Sequence, residues 1–171
     1  MNGGMSARRA VGSPTRSRPW TPVRLPALGL VLLLGACGTA PTTRAPPASP
    51  DPVTRLAQEQ VGQPYVYGGE GPRGFDCSGL VYYAYRQALG LEVPRTAREQ
   101  LVQARRVSAP EVRAGDLVFF QPASGKDLHV GIYVQDDLFV HAPSSGKRVS
   151  YASLADPYWR ENLIAAGRLR Q

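Results

Sequence analysis

A chain of 171 residues with a formal charge of +7 has room for one ordinary domain. Its basic excess sits at one end: Met1 to Ala36 carries Arg8, Arg9, Arg16, Arg18 and Arg24 and no Asp or Glu, which leaves 15 basic against 13 acidic residues beyond it. That removes the main reason to expect a nucleic-acid partner, because such a binder carries its basic patch on the folded surface.

Residues 1–36 have the parts of an export signal: a basic start, the apolar run Leu25 to Ala36, and small residues before a cut site. The run includes Pro26 and falls short of the roughly 20 apolar residues a membrane-spanning helix needs. It ends in Leu34-Gly35-Ala36-Cys37, which resembles the lipobox of bacterial lipoproteins, where the cysteine is acylated and becomes the new N-terminus. Acyl chains on Cys37, at roughly 0.8 kcal/mol per buried methylene, would tether the exported chain to a membrane facing the cell wall. Gly38 in place of an Asp implies the outer membrane, periplasmic side, for a Gram-negative source. Residues 37–50 then form a Pro-, Thr- and Ala-rich linker with nothing bulky to bury. Cys37 and Cys77 are the two cysteines of the chain, so acylation of the first leaves the second without a disulfide partner.

The domain is expected over 51–171. Asp51-Pro52 supplies an N-cap and first helical residue, Val53, Leu56, Ala57 and Val61 follow at helical spacing, and Gly62 suits the stop. Pro64 to Tyr67 reads as extended and Gly68 to Gly74 as a glycine-rich loop. A second helix is expected from about Cys77, behind Asp76, to Leu89, ending at Gly90. Thr96-Ala97-Arg98-Glu99 is a capping-box pattern for a third, short helix. Beyond Gly115, short apolar runs separated by turn residues predict strands at 116–121, 128–134, 138–142, 147–151 and 163–169. Helices first and consecutive strands after argue for an α+β domain, an antiparallel sheet packed by helices.

Cys77 falls at the predicted start of the second helix, where free backbone N–H groups and the helix dipole should lower a thiol pKa and could also donate to an oxyanion. Efficient attack by a thiol also needs a nearby base. The two histidines, His129 and His141, both fall on one predicted hairpin. If Gln135 to Asp137 form a three-residue turn, Gly131 faces His141 and the histidines share one face as diagonal neighbours; a turn of two or four residues separates them. No metal or other cofactor is expected, because two histidines lack the further ligands a catalytic zinc needs. Asp76 has an ordinary role as an N-cap and Ser78 as the residue closing the first helical turn. Arg73, Arg95 and Arg98 are candidates to meet substrate carboxylates, although exposed arginines are usually solvated.

The blocks Gly62-Gln63-Pro64-Tyr65-Val66-Tyr67-Gly68-Gly69, FDCSGLV at 75–81, Val93-Pro94-Arg95-Thr96, Arg113 to Phe120, HVGIYV at 129–134 and FVHAPSSG at 139–146 run in one order across nearly the whole domain. In that order they resemble the NlpC family of papain-like cysteine peptidases, bacterial cell-wall hydrolases. The tail Asp156-Pro157-Tyr158-Trp159 is similar to that of the family's lipoprotein murein endopeptidases. The resemblance implies a papain-like NlpC fold, Cys77 as nucleophile, His129 as general base and His141 as the group that orients it. It implies further that Tyr65 lines the site, with Tyr65, Asp76 and Ser78 as the substrate-binding or oxyanion candidates. Tyr67 departs from the Trp usual in the family and should keep an aromatic wall. The implied substrate is a peptidoglycan stem peptide, cut at the D-Ala to diaminopimelate cross-link or at the γ-D-Glu to diaminopimelate bond, with regulatory envelope proteins as further candidate partners. The reading from another class is a non-catalytic envelope lipoprotein that binds wall peptides or a partner protein; an acyltransferase or amidase on the same scaffold is the enzymatic rival.

Overall fold

The structure is a computed structural model that describes residues 46–122, 127–144 and 146–169. The export signal at 1–36 and the lipidation expected at Cys37 lie outside the described residues. No helix among the described residues is long and apolar enough to cross a membrane.

Helix α1 (Pro52–Glu59) starts where Asp51 accepts from the Thr54 N–H at 2.8 Å. Just before it, buried Ser49 donates its N–H to Gln58 Oε1 at 2.7 Å. The glycine-rich segment holds a two-stranded ribbon, β1 (Glu70–Gly71) with β2 (Gly74–Phe75), which leads into α2 (Cys77–Leu89). Helix α2 has Asp76 as N-cap and Gly90 as a left-handed C-cap at φ 65°. Helix α3 (Ala97–Gln103) starts at Thr96, whose hydroxyl accepts from the Glu99 N–H. The remaining elements are β3 (Arg105–Val107), a 3-10 turn at Ala109–Glu111, β4 (Leu117–Phe120), β5 (His129–Gln135), β6 (Leu138–His141), β7 (Ser150–Ser153), α4 (Pro157–Asn162) and β8 (Leu163–Arg168).

Strands β3 to β8 form one antiparallel sheet in the order β3-β8-β4-β5-β6-β7. Alternation along the strands divides their side chains between two apolar clusters. Leu117, Phe119, Val130, Ile132 and Val140 join Val53 and Ala57 of α1 and Leu80, Val81 and Ala84 of α2. Val118, Phe120 and Phe139 form the second cluster, with Trp159 of α4 against them. The mixed helical and antiparallel architecture is the α+β class expected.

The hairpin that carries the histidines reaches its register by a different route from the one expected. Its turn is two residues, Asp136 and Asp137, both at positive φ (48° and 61°), the pairing that favours type I′ turns. Extended without interruption, that turn would put the histidines on opposite faces. A bulge between Tyr133 and Gln135 shifts the pairing to Ile132 with Val140 and Tyr133 with Phe139, and continuing it sets Gly131 opposite His141. The three-residue turn is therefore corrected, and the shared face is retained. At Gly131 a Cβ would collide with the Phe139 ring at 2.5 Å, so the missing side chain makes room for that ring and not for the histidines directly.

The strand expected at 147–151 begins later, at Ser150. Residues 147–149 pair instead with the segment before β1: Tyr65 donates its N–H to Lys147 O, Val149 to Gln63 O, and Gly62 to Val149 O. Helix α4 was not foreseen as an element, although Asp156-Pro157 repeats the Asp-Pro start of α1 and Asp156 caps it by accepting from the Tyr158 N–H.

Candidate active site

The start of α2 is fixed from several sides. Asp76 Oδ1 accepts from the Gly79 N–H at 2.7 Å and Oδ2 from the Gly68 N–H at 3.0 Å. Arg95 adds two donors at 2.9 and 2.8 Å, and also reaches Ser78 Oγ at 3.1 Å and the Gly69 carbonyl at 3.3 Å. Arg95 therefore joins the loop before α3 to the first turn of α2, and its pairing with Asp76 raises its own pKa. Buried Gln100 of α3 reinforces the same join by donating to Ser78 O at 3.0 Å and Pro94 O at 2.8 Å. Neither role was derived from sequence; a buried glutamine on a short helix gives no periodic signal. Gly79 lets this corner close, because any Cβ there would strike the Gly69 carbonyl.

Cys77 is the first residue of α2 and is partly buried. Its thiol does not follow the lowered pKa expected of a helix start. Burial and the neighbouring Asp76 carboxylate push it up, outweighing the backbone N–H groups of Val130, Ser78 and Cys77 that pull it down. The Val130 contact places the sulfur against the strand residue that follows His129.

His129 and His141 share a hydrogen bond of 2.8 Å between Nε2 of the first and Nδ1 of the second, with the rings nearly perpendicular. Both are buried, and burial pushes His129 down to about 4. Burial first, then His129 and Lys147, pushes His141 down to about 3. Both rings are therefore neutral near pH 7. An unfolded histidine titrates near 6.5, so between that value and about 4 the unfolded chain binds more protons than the folded one. The stability held by the neutral pair is fully present above pH 6.5 and is lost as pH falls toward 4. Urea unfolding should show a loss on the order of 4 kcal/mol between pH 7 and pH 5, about halved in His141→Asn. A flat profile would mean that the pair is solvated.

Two clefts meet at Cys77. One, of about 550 Å³, is lined by Tyr65, Cys77, His129, Lys147, Tyr158 and Trp159 among others. The other, of about 510 Å³, is lined by Tyr65, Cys77, Asp76, Ser78, Arg95 and Arg98 among others. A larger hollow of about 890 Å³ beside Arg168 and Asp116 is lined by neither Cys77 nor a histidine. Tyr65 borders both clefts at the thiol, and burial followed by Cys77 and Asp76 raises its phenol, leaving the hydroxyl protonated as a donor. Tyr67 lines the second cleft at its rim, 89% exposed. Arg73 and Arg98 make no ion pair among the described residues. Among the described residues no group of three or more His, Cys, Asp or Glu side chains could hold a metal ion.

A base pair of neutral imidazoles beside a thiol at a helix start can carry out acyl transfer by proton abstraction during attack. Residues 62–168 match the NlpC/P60 family. Murein DD-endopeptidase MepH of Escherichia coli is 43% identical over 115 residues, 65% of this chain and 42% of its own length. The bifunctional muramidase/DL-endopeptidase CwlT of Bacillus subtilis is also 43% identical, over 69% of this chain and 36% of its own. The chain thus spans less than half the length of these relatives. Escherichia coli murein DD-endopeptidase MepS/murein LD-carboxypeptidase is 35% identical over 85% of this chain and 90% of its own length. Among solved structures, an NLP/P60-family protein similar to lipoprotein from Staphylococcus aureus superposes with a TM-score of 0.62 at 36% identity, covering 76% of this chain and 45% of that one.

Proposed function

The chain belongs to the NlpC/P60 family, and from that premise we propose that it is a peptidoglycan hydrolase, a cysteine endopeptidase that cuts stem peptides through an acyl-enzyme on Cys77. The observation that carries this reading is one cleft lined by Cys77 and by His129, whose ring is hydrogen-bonded to His141. Clefts on both sides of the thiol suit a substrate that continues in both directions from the cut bond.

In the proposed reaction His129 Nε2 is committed to His141, which leaves Nδ1 as the ring nitrogen for the thiol proton. Neutral His141 accepts from the His129 Nε2–H through its own Nδ1, which fixes the reactive tautomer and stabilises the imidazolium as it forms. Burial raises the thiol and lowers His129, so in the proposed reaction the proton moves to His129 as sulfur attacks the peptide carbonyl. Backbone N–H groups of Cys77 and Ser78 at the start of α2, with the Tyr65 hydroxyl, are the candidate donors to the oxyanion. The imidazolium then protonates the leaving amine, and water activated by the regenerated imidazole releases the acyl group. Asp76 and Ser78, joined by Arg95, shape the second cleft.

The bond favoured is the D-Ala to diaminopimelate cross-link, after the DD-endopeptidase names of MepH and MepS. CwlT, equally identical, is named a DL-endopeptidase, which keeps the γ-D-Glu to diaminopimelate bond as the alternative. Acylation of Cys37 would hold the enzyme beside this insoluble polymer from an envelope membrane. Digestion of a defined cross-linked muropeptide dimer and an uncross-linked stem by the full chain, with fragment masses as readout, tests the assignment. The dimer should yield monomers while the stem stays intact. Cleavage between D-Glu and diaminopimelate would reassign the bond, and cleavage of neither would contradict a peptidoglycan hydrolase.

A further inference from the structure

Helix α4 is six residues long, too short to be stable unless something packs it down. None of its residues is fully buried, and Tyr158 is about half exposed. Its attachment is the Trp159 ring, which lies at 4.8 Å from Phe120 and 5.2 Å from Phe139, centroid to centroid. The same indole lies against both histidines, tilted over His129 at 5.6 Å and edge-on to His141 at 4.8 Å. A short helix thus delivers one large flat side chain onto the pair.

We propose that Trp159 is a positioning residue for the reaction: its indole closes the His129–His141 pair from water and holds the His129 ring at the angle the thiol proton requires. The proposal rests on the reading in which His129 serves Cys77. The titratable groups that line the cleft with His129 are Cys77 from α2, Tyr65 before β1, Asp127 before β5, Lys147 beyond β6 and Tyr158 from α4. Of the charged ones, Lys147 acts on His141, and no carboxylate shifts either histidine. No carboxylate holds the base by charge, so its orientation rests on the hydrogen bond to His141 and on packing, and Trp159 is a ring that packs on both members. A ring pinned at its Nε2 edge by its hydrogen-bond partner and covered on one face by an indole loses the rotations that would carry Nδ1 away from sulfur.

The test compares Trp159→Ala, Trp159→Leu and Trp159→Phe in the full chain. Histidine titration is followed by NMR, and the pH dependence of alkylation is read at Cys77 by peptide mapping. Trp159→Ala should bring the histidines up by about one pH unit or more toward their ordinary 6.5 as water enters. It should also lower kcat on stem peptide by roughly 10- to 100-fold with KM little changed. Trp159→Phe should restore most of both, since a smaller ring still covers the pair. If Trp159→Ala does not fold, Trp159→Leu, which keeps apolar bulk without a flat ring, takes its place against Trp159→Phe. Unchanged titration and alkylation in the Ala or Leu variant would overturn the role. The titration does not depend on turnover, so a wild type that cuts no peptide but shows the shift would overturn the hydrolase reading and leave the role of Trp159 intact.

Discussion

Cys77→Ala in the full chain is expected to abolish peptide hydrolysis, lowering kcat by about 10⁴-fold or more, because a nucleophile that forms the covalent intermediate has no substitute in the cleft. Tyr65 and Ser78 border the site, but the phenol is held protonated and the Ser78 hydroxyl is engaged with Arg95 and Asp76. The same change should leave the fold nearly untouched. Alanine is a good helix former at the first position of α2, and the features that fix this helix start are the Asp76 carboxylate, Arg95 and the Gly79 close approach, none of which the thiol makes. Melting temperature and affinity for an uncleaved stem peptide should therefore match wild type while turnover vanishes. Retained turnover in Cys77→Ala would remove the acyl-enzyme from the mechanism.

The second large effect is expected at His129. His129→Ala should cost about 10³-fold or more in kcat, because the raised thiol of Cys77 supplies little thiolate by itself and depends on a base during attack. Alkylation of Cys77 near pH 7 should slow in parallel. His141→Ala should cost less, roughly 10- to 100-fold, since a neutral acceptor orients the base and steadies its tautomer without exchanging a proton with substrate. The double variant should be little worse than His129→Ala alone, as expected when one residue acts through the other. Equal losses at the two positions would instead make His141 a direct participant, and additive losses would separate their roles.

Much of this arrangement was legible in the chain because it is carried by local signals. Asp76 and Gly90 bracket α2 by capping chemistry that does not depend on tertiary structure. The β-rich runs HVGIYV and LFVH mark two strands, and their side chains are buried on both faces of the sheet. The shared face of the histidines was legible only conditionally, since the turn and the bulge each move the register by one residue and only their combination brings His141 opposite Gly131. The direction of the Cys77 shift could not be read, because a helix start and a burying cleft act in opposite senses and only coordinates weigh them. Arg95 and Gln100 were illegible for a related reason: their partners lie at α2 and the Gly69 loop, 17 to 26 residues away for Arg95 and 22 for the Ser78 carbonyl bonded to Gln100. The start of helix α4 is legible in the chain, but its extent is not. Asp156-Pro157 is the same start signal as Asp51-Pro52, but the run behind it is too short to show a helical period.

In the proposed reaction the carbonyl carbon of a stem peptide becomes bonded to the sulfur of Cys77. Rapid acid quench of the full chain mixed with excess cross-linked muropeptide, followed by peptide mapping with mass analysis, reads that bond directly. A stem-peptide acyl group should appear on the peptide containing Cys77 before steady state, be absent in Cys77→Ala and be strongly reduced in His129→Ala. Steady cleavage of the muropeptide by wild type and by Cys77→Ala alike, with no acyl group found on Cys77, would contradict that reaction.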